Sequence, residues 1–323
     1  MDKDKLKEII SRFPQGKVLV IGDLILDEFV WGNVSRISPE APIPIVEVVK
    51  ETFMPGGAAN VSNNVYSLGG KTFLSGVVGT GPAGNILRET LSQRGIDTRG
   101  IIIDKGRPTT LKTRIIAHHQ QVVRVDREKK EFLKDSPLEK ILTCCQELAN
   151  EVDIIAIEDY GKGVVTRELL QVMRRIKGKT IIIDPRVGSF SHYEGMDIIT
   201  PNRHEAEVAL GKKIDNEKSL QEGGRELLRN LHCQAALITL GEEGMCLFQR
   251  EDGGVHIPTV AREVYDVSGA GDTVVATLSL ALSVGASLQE AAYLSNMAAG
   301  IVVGKAGTAM VSREELVRIV DDH

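Results

Sequence analysis

Aromatic residues make up only 4% of the 323-residue chain, so the stacking platforms on which a single-strand nucleic-acid binder lays its bases are missing. There is no surplus of positive charge either. Lys and Arg number 39 against 44 Asp and Glu, a formal net charge of -5, which gives nucleic acid no basic face and leaves any anionic substrate to local Lys and Arg. The four cysteines, Cys144, Cys145, Cys233 and Cys246, show no metal-ligand spacing, and the adjacent pair is too close for an ordinary disulfide. They read as reduced core residues. No apolar run approaches the roughly eighteen residues that span a bilayer. Behind Met1-Asp2-Lys3-Asp4-Lys5, the spacing of Leu6, Ile9, Ile10 and Phe13 predicts a surface helix rather than a signal peptide. These absences together predict a cytoplasmic protein with neither nucleic acid nor membrane among its partners. A G-x-x-x-x-G-K-[ST] segment is also missing, so any phosphate cradle is not of the P-loop type.

With 42% apolar residues, the chain can bury a large core. Short β-branched runs at 17–21, 73–78, 101–103, 153–157, 180–183, 197–199 and 235–239 alternate with helical patterns, and several are apolar on both faces. That is the pattern of a parallel sheet covered on either side. Capping boxes at Ser136, Ser287 and Ser312 mark three helix starts. The alternation breaks at about 29–55 and 112–127, where Val, Ile and Thr alternate with polar residues and Pro42, Pro44 and Pro55 intervene. Proline confines such strands to edges. The expected architecture is therefore an α/β, doubly wound, mostly parallel sheet flanked by helices, in one domain over 1–323, with a small antiparallel β lid over its ligand crevice. Such lids can pair edge to edge, so a homodimer through the lid is expected.

The most informative segment is Tyr265-Asp266-Val267-Ser268-Gly269-Ala270-Gly271-Asp272-Thr273, which leads into the apolar run Val274 to Leu282. Small residues leave the Gly269, Ala270 and Gly271 amides uncovered at the positive end of a helix, where an anion can approach. A carboxylate at Asp272 would be repelled by that anion. It makes sense if it takes a proton from a hydroxyl while the amides hold the phosphoryl group under attack. An ordinary Gly-rich turn with an acid in the helix's first turn has the same sequence.

Pro201-Asn202-Arg203-His204-Glu205 follows a strand, so Asn202 and Glu205 could offer oxygens to a hydrated magnesium ion on nucleotide phosphates, or simply form a capping box. Both roles can coexist. Met54-Pro55-Gly56-Gly57-Ala58-Ala59-Asn60 looks like a sugar-binding turn, and Asp23 and Asp27 after the first strand offer carboxylates to sugar hydroxyls. Lys112, Arg114 and Arg124 on the lid, with Lys162, Arg186 and Arg36, would suit a substrate that already carries a phosphate; singly, each also reads as a solvated surface charge. His118 and His119 read as exposed lid residues. Gly79-Thr80-Gly81-Pro82-Ala83-Gly84 matches the dinucleotide-binding fingerprint, but the preceding strand is not the first and Pro82 sits inside the turn, which argues against nicotinamide chemistry.

Gly56 to Asn60, Asn202 to Glu205 and Asp266 to Asp272 occur in the order of, and resemble, the signatures of the ribokinase-like (PfkB) carbohydrate kinase family. Within it, Ser35 to Val46, Glu158-Asp159-Tyr160-Gly161-Lys162-Gly163 and 302–308 resemble the heptose 7-phosphate kinase branch. The resemblance implies transfer of the ATP γ-phosphoryl group to the anomeric C1 hydroxyl of D-glycero-β-D-manno-heptose 7-phosphate, in ADP-heptose biosynthesis. It implies Asp272 as base and the 269–272 amides as anion hole. Asn202 and Glu205, with Arg203 and His204 between them, match the magnesium and triphosphate motif. Asp27, Gly57 and Asn60 match sugar contacts, Gly241 and Gly244 the nucleotide loop, and Asn296 the adenine neighbourhood. A monovalent cation near Asp266 and Ser268 is a further implication. Relatives often carry acids at Gly81 and Pro82 and Lys at Arg186. Many also continue into a nucleotidyltransferase domain, an activity not expected here because this sequence stops at His323. The rival readings are a kinase for another sugar or sugar phosphate, a nicotinamide dehydrogenase and a noncatalytic sugar sensor.

Overall fold

A computed structural model describes residues 1–118, 120–250, 253–261, 264–305, 307 and 309–323. His119, Ala306 and Thr308 lie outside the described residues. The strands are β1 (Lys17–Gly22), β2 (Leu24–Ile37), β3 (Pro44–Gly57), β4 (Lys71–Val78), β5 (Asp97–Ile103), β6 (Thr110–Ala117), β7 (Gln120–Arg127), β8 (Ile154–Glu158), β9 (Thr180–Asp184), β10 (Ile198–Ile199), β11 (Ala235–Thr239), β12 (Met245–Gln249) and β13 (Val255–Ile257). The helices are α1 (Lys3–Arg12), α2 (Ala58–Ser67), α3 (Pro82–Gln93), α4 (Asp135–Ala149), α5 (Arg167–Arg174), α6 (Arg203–Leu210), α7 (Glu217–Leu231), α8 (Ala270–Ser283), α9 (Leu288–Val302) and α10 (Arg313–Asp322).

Nine strands form one sheet in the order β13-β12-β11-β10-β9-β8-β1-β4-β5. From β11 to β5 all neighbours are parallel, and β12 and β13 extend one edge as an antiparallel meander. The strands alternate between two cores, as a sheet covered on both faces must. Val18 and Val20 pack with α1, α2, α3, α8, α9 and α10 on one side, while Leu19 and Ile21 pack with α4, α5, α6 and α7 on the other. Each such fully buried side chain contributes roughly 1.5–3 kcal/mol. Beyond β1 the chain builds outward first to β4 and β5 and later to β8, β9 and β10, so the direction of winding switches beside β1. Ligand crevices form at the carboxyl ends of strands at such a switch.

The lid is a second sheet in the order β3-β2-β6-β7. Its two hairpins are antiparallel, and β2 and β6 run parallel between them, Glu28 opposite Thr113. Pro44 and Pro55 both fall on the edge strand β3, where a missing amide breaks no ladder.

Helix α8 is buried from Asp272 through Ala281. An all-round apolar sequence suits that central place. Capping boxes form at Ser287 and Ser312 as expected. The one at Ser136 does not, because α4 starts two residues earlier than that box requires, at Asp135, with Lys134 as N-cap and no side-chain cap. The first and last helices lie together: Lys3 Nζ donates to the Asp321 carbonyl at 2.9 Å, and Lys7 Nζ meets the Asp321 carboxylate at 3.0 Å.

Candidate active site

The turn before α8 is held open by Gly269, whose φ of 79° is left-handed and favours glycine. Ala270 differs from expectation: its amide turns back to the Val267 carbonyl at 3.3 Å. Among the described residues the amides of Gly269, Gly271 and Asp272 have no such partner. A Cβ built on Gly271 would meet nothing within 4 Å. The glycine therefore leaves bare backbone facing open space at a helix N-terminus, where a phosphoryl group can be held by amides and dipole.

Asp272, one residue further, is 3% exposed. Its Oδ2 accepts from Asn60 Nδ2 at 2.6 Å and its Oδ1 from the Tyr160 hydroxyl at 2.5 Å. Burial pushes its carboxyl up to about 6, with the charge of Asp27 adding to the rise and the two hydrogen bonds opposing it. Such a group is mostly ionised at neutral pH yet basic enough to take a proton. Asn60 is oriented in turn: Asn64 Nδ2 donates to its Oδ1 at 3.3 Å, and the Thr273 hydroxyl donates to Asn64 Oδ1 at 3.3 Å.

Two cavities meet at this turn. One of 380 Å³ is lined by Tyr160, Asp184, Arg186, Asn202, Glu205 and Gly271 among others. The other, of 490 Å³, is lined by Gly241, Gly244, Val264, Ala270, Gly271 and Asn296 among others, mostly apolar. A flat heterocycle suits the second and a chain of phosphates the first, with Gly271 shared. Asn296 Nδ2 is engaged by the Pro258 carbonyl at 2.7 Å.

Asn202 and Glu205 do form the capping box. The Glu205 amide donates to Asn202 Oδ1 at 2.9 Å and the Asn202 amide to Glu205 Oε2 at 2.8 Å. Both residues still line the 380 Å³ cavity, so the capping box does not withdraw them from a ligand there. Glu205, with burial raising its carboxyl, shares this wall with Asp184, and Glu158 lies buried beside Asp184; no expectation from the sequence singles out either acid. Glu158 and Asp184 sit side by side in register at the ends of β8 and β9. Burial first, then charge from Asp184 on Glu158 and from Glu205 on Asp184, push both far above the usual carboxylate range. Neither Glu158 oxygen has a hydrogen-bond partner among the described residues.

On the lid side, Asp27 Oδ1 takes the Arg114 guanidinium at 2.5 Å, and Gly56 lies against Asp27 so closely that a Cβ there would overlap its Oδ2. If Asp27 has the sugar-binding role that the family resemblance implies, Gly56→Ala, by displacing it, should raise the KM for the sugar by about tenfold and leave that for ATP near wild type; steady-state kinetics with each substrate varied checks this. Gly57 is the N-cap of α2, the helix that carries Asn60. Asp23 is not free for a sugar: its carboxylate accepts the amides of Tyr160, Lys162 and Val164 at 2.9, 2.9 and 3.1 Å.

Residues 15–315 match the model of the pfkB family carbohydrate kinases. The chain belongs to that family. This carbohydrate kinase is 45% identical over 316 residues to the "Bifunctional protein HldE" of Desulfatibacillum aliphaticivorans, covering 97% of this chain and 65% of that protein. It is 46% identical over 308 residues to the protein of the same name from Helicobacter pylori strain J99, covering 94% of this chain and 66% of that one. The chain thus spans about two thirds of these relatives. Among solved structures it is similar to Arabidopsis thaliana ribokinase, with a TM-score of 0.76, 18% identity and coverage of 94% and 98% of the two chains. It is likewise similar to Escherichia coli phosphofructokinase-2, with a TM-score of 0.78, 18% identity and coverage of 95% and 98%. At that identity these two show the ribokinase-like fold.

The remaining expected residues of the kinase divide into those facing the crevice and those turned elsewhere. Arg186 faces it and donates to Ser189 Oγ at 3.1 Å. Lys112 and Arg124 both reach Asp126, at 3.4 and 2.9 Å, and Lys162 Nζ pairs with Glu128 at 2.6 Å. Arg36 is exposed on the outer half of β2. Arg203 turns away from Asn202 to Glu243 at 2.5 Å, and His204 is exposed. The Gly79–Gly84 turn is structural: Gly81 caps α3 and Pro82 takes its first position. Tyr160 is the functional candidate that the sequence reading left unassigned. It stands inside the Glu158–Gly163 motif, and nothing in the local sequence says that its hydroxyl crosses to α8.

Proposed function

We propose that this carbohydrate kinase transfers the γ-phosphoryl group of ATP to the anomeric C1 hydroxyl of D-glycero-β-D-manno-heptose 7-phosphate, giving the 1,7-bisphosphate in ADP-heptose biosynthesis. The observation that carries the transfer is the placement of the buried Asp272 carboxylate one residue from the bare Gly271 backbone, where two cavities meet. The heptose substrate is supported by the 45–46% identity to relatives named HldE and by the resemblance of the 35–46 and 158–163 segments to heptose 7-phosphate kinases.

In the proposed reaction the sugar lies between Asp27, Gly57 and Asn60 under the lid, with ATP along the two cavities. As the C1 oxygen bonds to the γ-phosphorus and the bond to the departing ADP oxygen breaks, the hydroxyl proton passes to Asp272. The amides of Gly269, Gly271 and Asp272 hold the charge on the equatorial oxygens. Asn202 and Glu205 are the residues that would hold a hydrated magnesium ion, which neutralises phosphate charge when bound. Asp266 and Ser268 would border a monovalent cation. The 7-phosphate would draw on Arg114, Lys112, Arg124, Lys162, Arg186 or Arg36, displacing the carboxylates that several now hold.

The lid also favours a homodimer. Ile37, Val48, Val49 and Val123 are 60%, 55%, 71% and 46% exposed on its strands, more apolar surface than a lone lid should show to water. No described helix is long and apolar enough to cross a membrane, in keeping with a cytoplasmic place for the reaction. Residues 1–323 are read as one kinase domain.

Phosphorus NMR of the protein with magnesium-ATP and heptose 7-phosphate, fructose phosphates or ribose tests this. A new anomeric phosphate is expected with the heptose alone. Transfer only to another sugar would keep the Asp272 chemistry and overturn the heptose assignment.

A further inference from the structure

Both oxygens of Asp272 carry a donor, and the two donors are held differently. Asn60 is fixed within the helix layer by Asn64. Tyr160 comes from the loop after β8, and that loop is pinned at three points: the amides of Tyr160, Lys162 and Val164 all donate to the Asp23 carboxylate, itself 1% exposed. Arg186 packs over Gly161, where a Cβ would collide with its guanidinium. The phenol is thus brought to Asp272 Oδ1 by a rigid loop, and Tyr160 also lines the 380 Å³ cavity.

Among its neighbours, Asp27 on β2 opposes the ionisation of Asp272. Glu158 at the end of β8 and Asp184 at the end of β9 are nearby acids whose own carboxyls are raised well above their ordinary values, with Glu205 on α6 behind them. The cation on the lid side, Arg114, is committed to Asp27. The ionised form is favoured by the positive N-terminal end of α8, in whose first turn Asp272 lies, and by the hydrogen bonds to its two oxygens.

We propose that Tyr160 is a positioning residue for the phosphoryl transfer, its hydroxyl fixing the rotation of the Asp272 carboxylate and favouring the ionised form that accepts the substrate proton. This rests on Asp272 being the base. Tyr160 is 37% exposed as a residue, but its hydroxyl end sits on the buried Asp272 carboxylate; desolvation there first, and then the nearby acids, raise its phenol, so Tyr160 keeps its own proton throughout. The transferred proton goes to Asp272 alone.

The test is the pH dependence of kcat/KM for the sugar, which reports the free enzyme, for wild type and Tyr160→Phe, with Asp272→Asn in parallel. The wild-type acidic limb should fall near about 6, the value to which burial raises both Asp272 and the loop-holding Asp23; activity is lost as pH drops, and removing the Tyr160 hydroxyl shifts only the Asp272 contribution. Losing a hydrogen bond to the charged form raises that value, so the Tyr160→Phe limb should move up by about one pH unit. Its kcat/KM should fall about fivefold near pH 6.5 and return to within about threefold of wild type near pH 8.5, with the ATP KM unchanged. A loss that is uniform across pH with an unmoved limb would mean that Tyr160 only supports the loop, and would overturn the inference.

If the Phe variant does not fold, 3-fluorotyrosine at position 160 serves instead: a more acidic phenol is a stronger donor and should move the limb down, and an unmoved limb again overturns the inference. If Asp272→Asn keeps its turnover, the reading of the base itself fails. If it is inactive and the Tyr160 limb does not move, only the role of Tyr160 fails.

Discussion

If Asp272 is the base proposed above, replacing it with Asn should lower kcat by about a thousandfold while leaving the ATP KM within about twofold, the loss expected when a general base is removed from a site whose binding surfaces remain. The amide has the shape of the carboxylate, so the crevice wall and the turn amides before α8 keep their places. What changes is chemistry: an amide cannot hold the proton that the attacking hydroxyl must give up. The residual rate comes from positioning and from the anion-holding amides, which persist. Measuring kcat and the ATP KM on variant protein with a wild-type thermal melt checks this, and near-normal turnover would remove Asp272 from the role.

The second large effect is expected at Asp27. Its carboxylate is 4% exposed and engages Arg114, and in the proposed complex it accepts hydrogen bonds from the sugar. Asp27→Ala deletes these charge-assisted bonds and leaves a guanidinium without its partner. At roughly 1.5–3 kcal/mol for each bond to a charged group, kcat/KM for the sugar should fall by about a hundredfold or more. The nucleotide side is built from α8, α9 and the loop at Gly241, so the ATP KM should hardly move. Sugar titrations at saturating ATP decide the matter: an unchanged sugar kcat/KM would make Asp27 a structural partner of Arg114 and nothing more.

Much of this site could be read from local sequence because its key pieces are local. The Gly269–Asp272 turn, the Asn202–Glu205 box and the Gly56–Asn60 turn each have a backbone shape that few residue types satisfy, so composition and spacing expose them. The double-sided apolar strands announced the covered sheet for the same reason. Pairings across the fold were a different matter. Asp23 looks like any acid after a strand, and only the return of the chain at 160–164 shows that three amides occupy it. Lys112, Arg124 and Lys162 read as free cations until Asp126 and Glu128 are seen beside them. Glu158 and Asp184 are 26 positions apart in sequence and touch only because β8 and β9 are neighbours in register. Arg203 points away from the crevice because the helical period turns successive side chains by about 100°, placing it toward Glu243 while Asn202 and Glu205 keep one face.

The pairing of α1 with α10 bears on how this molecule could be rewired. Lys3 and Lys7 hold Asp321 at about hydrogen-bonding distance, so the two chain ends are already neighbours. A few flexible residues would join them, and the chain could be opened anew in a surface loop without asking any strand to change its order in the sheet. The phosphoryl-transfer crevice is set by which strand ends lie side by side, and that arrangement is indifferent to where synthesis starts.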